Sequence, residues 1–502
     1  MKKKFLSIFL SLLSVISLAL SGCSQKTLEK KAPDYSSSQL QFDFYGYSSA
    51  SNGKWSIDGI EYDAGQDFRT VERVREYKDT GMTIYMPQHQ AMYQGQDFET
   101  SDTKKALDMA VEAGIPKVII NDRRIQQLSK TNDGIIGEDK KFATTEELDA
   151  EIASYLAPYK DHPAFYGLML GDEPFWRMHE AYGQVYKSIK RVCPDCFIQY
   201  NLNPITAGQD PAKIDERFPA LEEGEGEGLE WKDIVAIRYE KYLRLFLDST
   251  GADYVQYDQY PLKSQDFIDE YYIYGLQLVA ELAKEYGIQF YFVTQTYGQT
   301  DGGHNPRMLT EADLYWLNNM LVGFGVKTIS YFTYWTKSDN NTEHFIDGNS
   351  FITWYGERTK IYDWMTQIMA EEQKFAPTVL NFDYQTSKVY TKAPTVFDAS
   401  HTLWTKQTAD FTALKNVSLN KEVALVTELY DDEKSNYMYM VQNIIDPRNK
   451  GSKAYQAVEL TFNSAYKYAA IYVKGERTLV KLKEGKLTLK NKAGEATYVI
   501  PY

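Results

Sequence analysis

Asp172 and Glu173 are the residues of this chain with the plainest chemical potential. They follow an apolar run at 165–170 (Phe-Tyr-Gly-Leu-Met-Leu) and Gly171, and they precede Pro174, Phe175 and Trp176. Two neighbouring carboxyls beside aromatic rings can be held in different protonation states. Burial favours the neutral form of one, and the charge of the other reinforces that preference. The apolar run reads as a buried strand. Pro174 suits the first position of a helix, because its missing N–H would have no partner there. The same residues also admit a purely structural reading, with Asp172 capping that helix and Glu173 complementing its dipole.

The elements that must position this pair emerge from periodicity. Between 40 and 376, strand-like segments at 40–47, 81–87, 117–122, 165–170, 197–201, 254–258, 289–295 and 328–335 alternate with helical patterns. Thr144 and Glu147 stand at capping-box spacing before an apolar stripe of Leu148, Ile152, Tyr155 and Leu156. Gly114 and Gly287 close other helices. Eight such repeats predict an α/β fold, a (β/α)8 TIM barrel, over 40–376. A doubly wound open sheet is the alternative, but no strand leads into a G-x-G-x-x-G or Walker-type loop, so nucleotide sites have no support. Over 377–502 the pattern becomes all-β. Segments 423–430 and 437–442 flank an Asp-Asp-Glu-Lys-Ser-Asn turn, and Val458, Leu460 and Phe462 alternate with polar residues, predicting a β-sandwich.

In a barrel the C-terminal strand ends share one mouth. Asp172 and Glu173 would meet Asp258 there as candidate catalytic groups. Asp43, Tyr45, Asn201, Tyr257, Tyr260, Gln295, Tyr297 and Trp335 would contact substrate, with Gln88, His89, Asn121 to Arg124, Asn203 and Tyr334 nearby. Carboxylates, amides and flat rings suit the hydrolysis of a glycosidic bond, which needs a protonated acid beside a second carboxylate. The set contains no metal-ligand spacing and implies no cofactor. Plainer roles are open for several members. Asp258 before Tyr-Pro could form a turn, Trp335 could be core, and Arg123-Arg124 could be ion-paired. Asp339, Glu343 and Asp347 lack EF-hand spacing and read as a polar loop. The insertion 205–233 contains Glu222-Glu-Gly-Glu-Gly-Glu-Gly228, a solvated stretch placed to act as a mobile lid or substrate rim.

Three segments carry a resemblance to glycoside hydrolases. Tyr166-Gly-Leu-Met-Leu-Gly-Asp-Glu-Pro174 resembles the fourth-strand motif of barrel glycosidases whose Glu is the acid/base. Ile329-Ser-Tyr-Phe-Thr-Tyr-Trp-Thr336 is similar to the eighth strand of β-galactosidase-like barrels, where the Trp lines the sugar site. Leu487-Thr-Leu-Lys-Asn-Lys-Ala-Gly-Glu-Ala-Thr-Tyr-Val-Ile500 resembles the closing hairpin of their appended β-domains. The chain departs from those retaining enzymes at Gln295, where they carry a nucleophilic Glu. The Asp-Glu pair also resembles hexosaminidases of glycoside hydrolase families 20 and 123. That likeness implies that a substrate acetamido group attacks, Asp172 orients it and Glu173 is the acid, with Tyr257, Asp258 or Tyr260 holding the acetamido group. Alternatively Asp258 serves as the base of an inverting pair with Glu173, at a separation of about 6.5–9.5 Å. The expected activity is hydrolysis of neutral or N-acetylated oligosaccharides. The missing seventh-strand Glu keeps a non-catalytic carbohydrate-binding protein as the rival.

The N-terminus bears on location. Lys2-Lys3-Lys4 precedes an apolar run at 5–20 that ends in Leu20-Ser21-Gly22-Cys23, which resembles a bacterial lipobox. The resemblance implies a signal peptide over 1–22, lipidation (palmitate) of Cys23, a tether over 23–39, and display on the extracellular face of the cell membrane. Contact with the membrane would be through the lipid alone. Net charge is −14, which disfavours nucleic acid as a partner. Aromatic residues make up 14%, with 40 Tyr, a composition suited to sugar faces as well as to a core. Cys193-Pro-Asp-Cys196 reads as a local staple or two free thiols, since a lone C-x-x-C is weak grounds for zinc.

Overall fold

A computed structural model describes residue 29 and residues 32–502, except 58–59, 88–89, 264–267, 299–305, 337–349, 392–403, 421–422 and 451–454. The expected leader and Cys23 lie outside the described residues, as do Gln88, His89, Asp339, Glu343 and Asp347.

The N-terminal part is built on short strands: β1 (Asp43–Gly46), a hairpin of β2 (Lys54–Ile57) and β3 (Ile60–Asp63), then β4 (Val118–Ile120), β5 (Phe165–Asp172), β6 (Phe197–Asn201), β7 (Tyr254–Asp258), β8 (Gln289–Gln295) and β9 (Val326–Phe332). Apart from the hairpin they form two parallel sheets, ordered β1-β9-β8-β7 and β4-β5-β6. Strands buried on both faces read as near-continuous apolar runs, and β4 and β7 are buried at every residue. Hydrogen bonds span both gaps between the sheets. Leu202 N–H donates to the Gln256 carbonyl (3.0 Å) beside β7. At the other gap, Ile84 N–H donates to Phe44 (3.1 Å) and Tyr85 N–H to Lys117 (2.8 Å). The segment 81–87, expected as a strand, makes only this one-residue bridge at Tyr85 and no continuous ladder.

Helices separate the strands: α1 (Val71–Asp79), α2 (Asp102–Ala113), α3 (Arg123–Ser129), α4 (Thr145–Leu156), α5 (His179–Val192), α6 (Ile214–Arg217), α7 (Trp231–Thr250), α8 (Tyr272–Tyr286), α9 (Glu311–Gly323) and α10 (Lys360–Val379). Their ends follow local chemistry. Gly114 and Gly287 close α2 and α8 in the left-handed region, at φ +76° and +65°. Thr144 caps α4 by accepting the Glu147 N–H, but Glu147 turns its carboxylate to Ala143 N–H instead of Thr144's own. The reciprocal box forms at α9, between Thr310 and Asp313.

The C-terminal part is antiparallel: β10 (Asp383–Thr391), β11 (Leu414–Leu419), β12 (Val423–Asp431), β13 (Asn436–Asn443), β14 (Tyr455–Phe462), β15 (Tyr468–Val473), β16 (Glu476–Lys481), β17 (Lys486–Lys492) and β18 (Ala496–Pro501). A six-stranded sheet, β10-β12-β13-β18-β15-β16, faces a three-stranded one, β11-β14-β17. Val426, Val441 and Val499 of the first meet Val417, Leu460 and Phe462 of the second. The opposite face of the larger sheet packs on the helices with Leu425, Met438, Met440, Tyr498 and Ile500. Trp316 of α9 donates its indole N–H to Ile444 (3.2 Å) and accepts from Gln442 at its carbonyl (2.8 Å). Fully buried Arg307 grips Asp446 bidentately, at 2.8 Å on each nitrogen, and also Asp313. The sandwich is thereby fastened to the loop that precedes α9.

Candidate active site

The inward faces of the parallel strands carry side chains in alternation. Near the strand starts, Phe197 stacks on Tyr166 (5.2 Å) and Tyr254 (5.5 Å), and Tyr254 stacks on Tyr291 (4.4 Å). One step further, Tyr45 donates to Gln256 Oε1 (2.9 Å) and Gln199 donates to Tyr47 (2.5 Å). Beyond that step lie Asn201, Asp258 and Phe332, at the C-terminal ends, with Asp172 and Glu173 closing β5.

Glu173 occupies an unusual backbone position. Its φ is +45°, a left-handed conformation that costs a non-glycine residue about 1–3 kcal/mol and persists only where its surroundings impose it. Those surroundings are visible. Glu173 N–H donates to the Asn201 carbonyl at 2.7 Å. The next carbonyl, of Pro174, accepts from both Asn203 Nδ2 (3.0 Å) and the Tyr242 hydroxyl (2.9 Å). No helix starts at Pro174. A 3₁₀ turn at Trp176–Met178 comes first, with Phe175 as its uncapped start, and α5 follows. Asp172 therefore caps nothing, and the helix-cap reading of the pair fails.

Three carboxyls converge. Asp172 accepts from Asn201 Nδ2 at 3.0 Å, and Asp258 lies close enough to Asp172, Asn201 and Tyr260 for each to act on its protonation. Asp258 is only 6% exposed, and its charge acts on Glu173. Burial, then the charges of Asp258 and Asp172, push Glu173 up to about 8, with Arg217 opposing. The Glu173 side chain keeps 37% of its surface accessible, so it is walled by protein but open towards the mouth. Burial, then Asp172, push Asp258 up to about 7, against the hydrogen bonds from Tyr260 and Asn201. Neighbouring carboxyls whose charges act on one another titrate together.

Arg217 was not legible in the sequence. It ends α6, inside the 205–233 insertion, and no pattern marks it there. Its Nη1 lies 3.6 Å from Glu173 Oε2 and 2.9 Å from Asn203 Oδ1, and its guanidinium covers the Phe175 ring at 4.8 Å. The insertion thus delivers a cation to the site, while Glu222 to Gly228 run outside it with Glu225 paired to Lys241. Phe332 was also missed, although strand parity marks it. It is half-buried, stacks on Tyr260 (5.3 Å) and meets Tyr297 (6.1 Å) and Tyr47 (6.4 Å), forming an aromatic wall at the strand ends.

Several expected substrate contacts lie elsewhere. Asp43 begins β1 instead of ending it, so it sits at the far end of the strands, paired with Lys117 (2.8 Å) and Thr83. Tyr45 is fully buried one step below the mouth. Tyr257 alternates outwards and packs on Phe290, Phe292 and Tyr239 under the helices. Gln295 is buried and its amide is spent on backbone, accepting from Leu262 N–H and donating towards the carbonyls of Leu262, Tyr297 and Arg307. Trp335 is core, 2% exposed, against Phe68 (4.9 Å) and the Arg73 guanidinium (5.5 Å). Asn201, Tyr260 and Tyr297 remain at the mouth with the acids. Arg124 pairs with Asp122, and Cys193 and Cys196 are free thiols. Among the described residues, no group of three or more His, Cys, Asp or Glu is arranged to hold a metal ion.

No protein-family model matches the chain, and no curated protein matches it by sequence. Its shape is similar to that of an Anoxybacillus α-amylase, with a TM-score of 0.46 and 11% identity over 94% of this chain and 99% of the other. A glycoside hydrolase family 5 protein from Bacteroides vulgatus gives 0.46 and 10% over 86% and 84%. A family 39 glycoside hydrolase from Bacteroides cellulosilyticus gives 0.40 and 11% over 86% and 78%. At such scores these likenesses carry no argument about function, which has to come from the site.

Proposed function

We propose that this chain is an O-glycosyl hydrolase with Glu173 as its general acid, built on a (β/α)8 TIM barrel. The observation that carries the reading is the convergence of Asp172, Glu173 and Asp258 at the strand ends, with Glu173 held protonated near neutral pH and open to the mouth. The hydrogen bonds across both gaps between the parallel sheets support barrel closure. A protonated carboxyl can give its proton to the glycosidic oxygen as the bond to the anomeric carbon breaks, leaving Glu173 as a carboxylate that later takes a proton from water. Gln295 offers no nucleophile on β8. Asp172, accessible and hydrogen-bonded by Asn201, suits orientation of a 2-acetamido group that attacks in its place. The Phe332, Tyr260 and Tyr297 rings supply flat faces for a sugar. The substrate class is neutral or N-acetylated oligosaccharide, met at the extracellular face of the membrane to which Cys23 tethers the protein through lipid.

The test is Glu173→Gln assayed on a panel of aryl glycosides. Loss of a general acid lowers turnover by about 10²–10⁴-fold, and undiminished turnover by the variant removes the assignment. The committed amide of Gln295 favours a second reading, a sugar-binding protein without catalysis. A glycan array showing binding, together with no hydrolysis by the parent anywhere on the panel, would establish that reading instead.

A further inference from the structure

We infer that Gln126, on α3, is a positioning residue for the reacting carboxyls: it holds the β-bulge at Leu170 that turns Asp172 to the inward face of β5. This rests on the reading of Asp172 and Glu173 as the reacting pair, and deepens it by naming what aims them.

Register shows the bulge. Met169 of β5 stands opposite Gln199 of β6, but the next pairs are Gly171 with Tyr200 and Asp172 with Asn201, so Leu170 is an extra residue. One extra residue reverses the facing of every side chain beyond it. Met169 packs inwards with Tyr45, Tyr47 and Val293. Strict alternation would then point Gly171 inwards and Asp172 at the helices. Instead a Cβ on Gly171 would meet Tyr182 of α5, and Asp172 accepts from Asn201 on the inward side at 3.0 Å. Such a bulge needs support, because it takes backbone groups out of the ladder. β4 is laddered to β5 only as far as Leu168, and α3 takes over from there. Gln126 Nε2 donates to the Met169 carbonyl at 2.8 Å, and Ser129 Oγ donates to the Leu170 carbonyl at 3.3 Å. Consecutive carbonyls of a regular strand face opposite neighbours, whereas here one helix receives both. Arg123 orients the Gln126 amide by donating to its Oε1 at 2.9 Å. Gln126 and Ser129 are 2% and 0% exposed, so water has no access to replace either bond.

The experiment compares Gln126→Met, similar in shape but without the donor, with the parent protein, by hydrogen exchange and by kinetics on a nitrophenyl 2-acetamido glycoside. Exchange over residues 165–173 should accelerate about tenfold or more, because a buried carbonyl loses its partner, while β7 to β9 exchange as before. The kcat should fall by about 10²-fold, the cost of about an ångström of misplacement, with KM little changed. In an Asp172→Asn background the same substitution should add little, since Gln126 acts through Asp172. Ser129→Ala, a smaller change, should repeat the pattern more weakly, and it carries the test if Gln126→Met does not fold. Unaltered exchange over 165–173, or an equal loss of kcat with and without the Asp172 carboxylate, would overturn the proposal. Local acceleration in the variant beside a parent that cleaves no glycoside would leave the bulge-holding role standing and remove the glycosidase reading, so the two failures are distinct.

Discussion

Replacing Gly171 by alanine tests how the acid pair is positioned. Gly171 sits in β5 immediately before Asp172, and a Cβ there would lie 1.8 Å from the Tyr182 hydroxyl oxygen and 2.9 Å from the ring carbon bearing it. Ordinary contact is 3.4–4 Å, so strand and ring must separate by more than an ångström. Neither has room. Tyr182 is 1% exposed and packs on Phe246 of α7, and β5 is laddered to both neighbours. Overpacking of this kind costs about 1–3 kcal/mol, measurable as a lower midpoint at unchanged m in equilibrium urea unfolding. Any share of the movement taken by the strand carries Glu173 with it, and misplacement by about 1 Å costs about 10²-fold in rate. Gly171→Ala combined with Tyr182→Phe removes the worst contact and should recover most of both losses. A Gly171→Ala variant as stable and as active as the parent would show that Tyr182 does not set the height of the acid pair.

Two other expectations concern stability. Arg307→Met leaves Asp313 and Asp446, both with fully buried side chains, facing each other without their cation. The loss should be about 3–5 kcal/mol, and the triple change adding Asp313→Asn and Asp446→Asn should restore much of it in the same urea assay. His179 is fully buried against Tyr242 and Phe246, with no hydrogen-bond partner on either ring nitrogen, and burial lowers it to about 3. Its folded-state pKa is depressed, so its contribution is present above the unfolded value near 6.5. That contribution is lost as pH falls, at about 1.4 kcal/mol per unit until the folded value is reached. His179→Phe should flatten that acid-side slope in denaturation midpoints measured from pH 7 to pH 4, and an unchanged slope would count against the neutral buried ring.

Local signals in this chain travelled well where the physics is local. The Thr144 cap, the Gly114 and Gly287 stops and the Asp431-to-Asn436 hairpin turn all form where the residues indicate, because each depends on a few neighbouring backbone groups. Strand parity was the first signal to mislead. Asp258 and Tyr257 are adjacent, and reading both as mouth residues ignored the alternation that sends one inwards and the other under α8. Asp43 failed for a related reason, since β1 begins at this residue and a strand end read at its start falls on the opposite side. Trp335 lies beyond the end of β9, where the chain turns into Phe68 and Arg73. No periodicity in the Ile329-to-Thr336 motif foretells that turn.

Sequence alone determined the class of architecture and the chemistry on offer. An apolar strand, a glycine and two carboxyls announce themselves by composition and order, and so does the change to two-residue periodicity after α10. Tertiary structure decided which carboxyls meet. The approach of Asp258 to Asp172 and Glu173, 85 positions from the latter in the chain, depends on the register of β5 against β6 and of Leu202 against β7. The placement of Arg217 depends on how an insertion folds back, through Arg238 gripping Asp215 and the Pro219 and Phe218 carbonyls. The proton affinity of the acid follows from those encounters, because desolvation and neighbouring charge act through space and are written in no single stretch of the sequence.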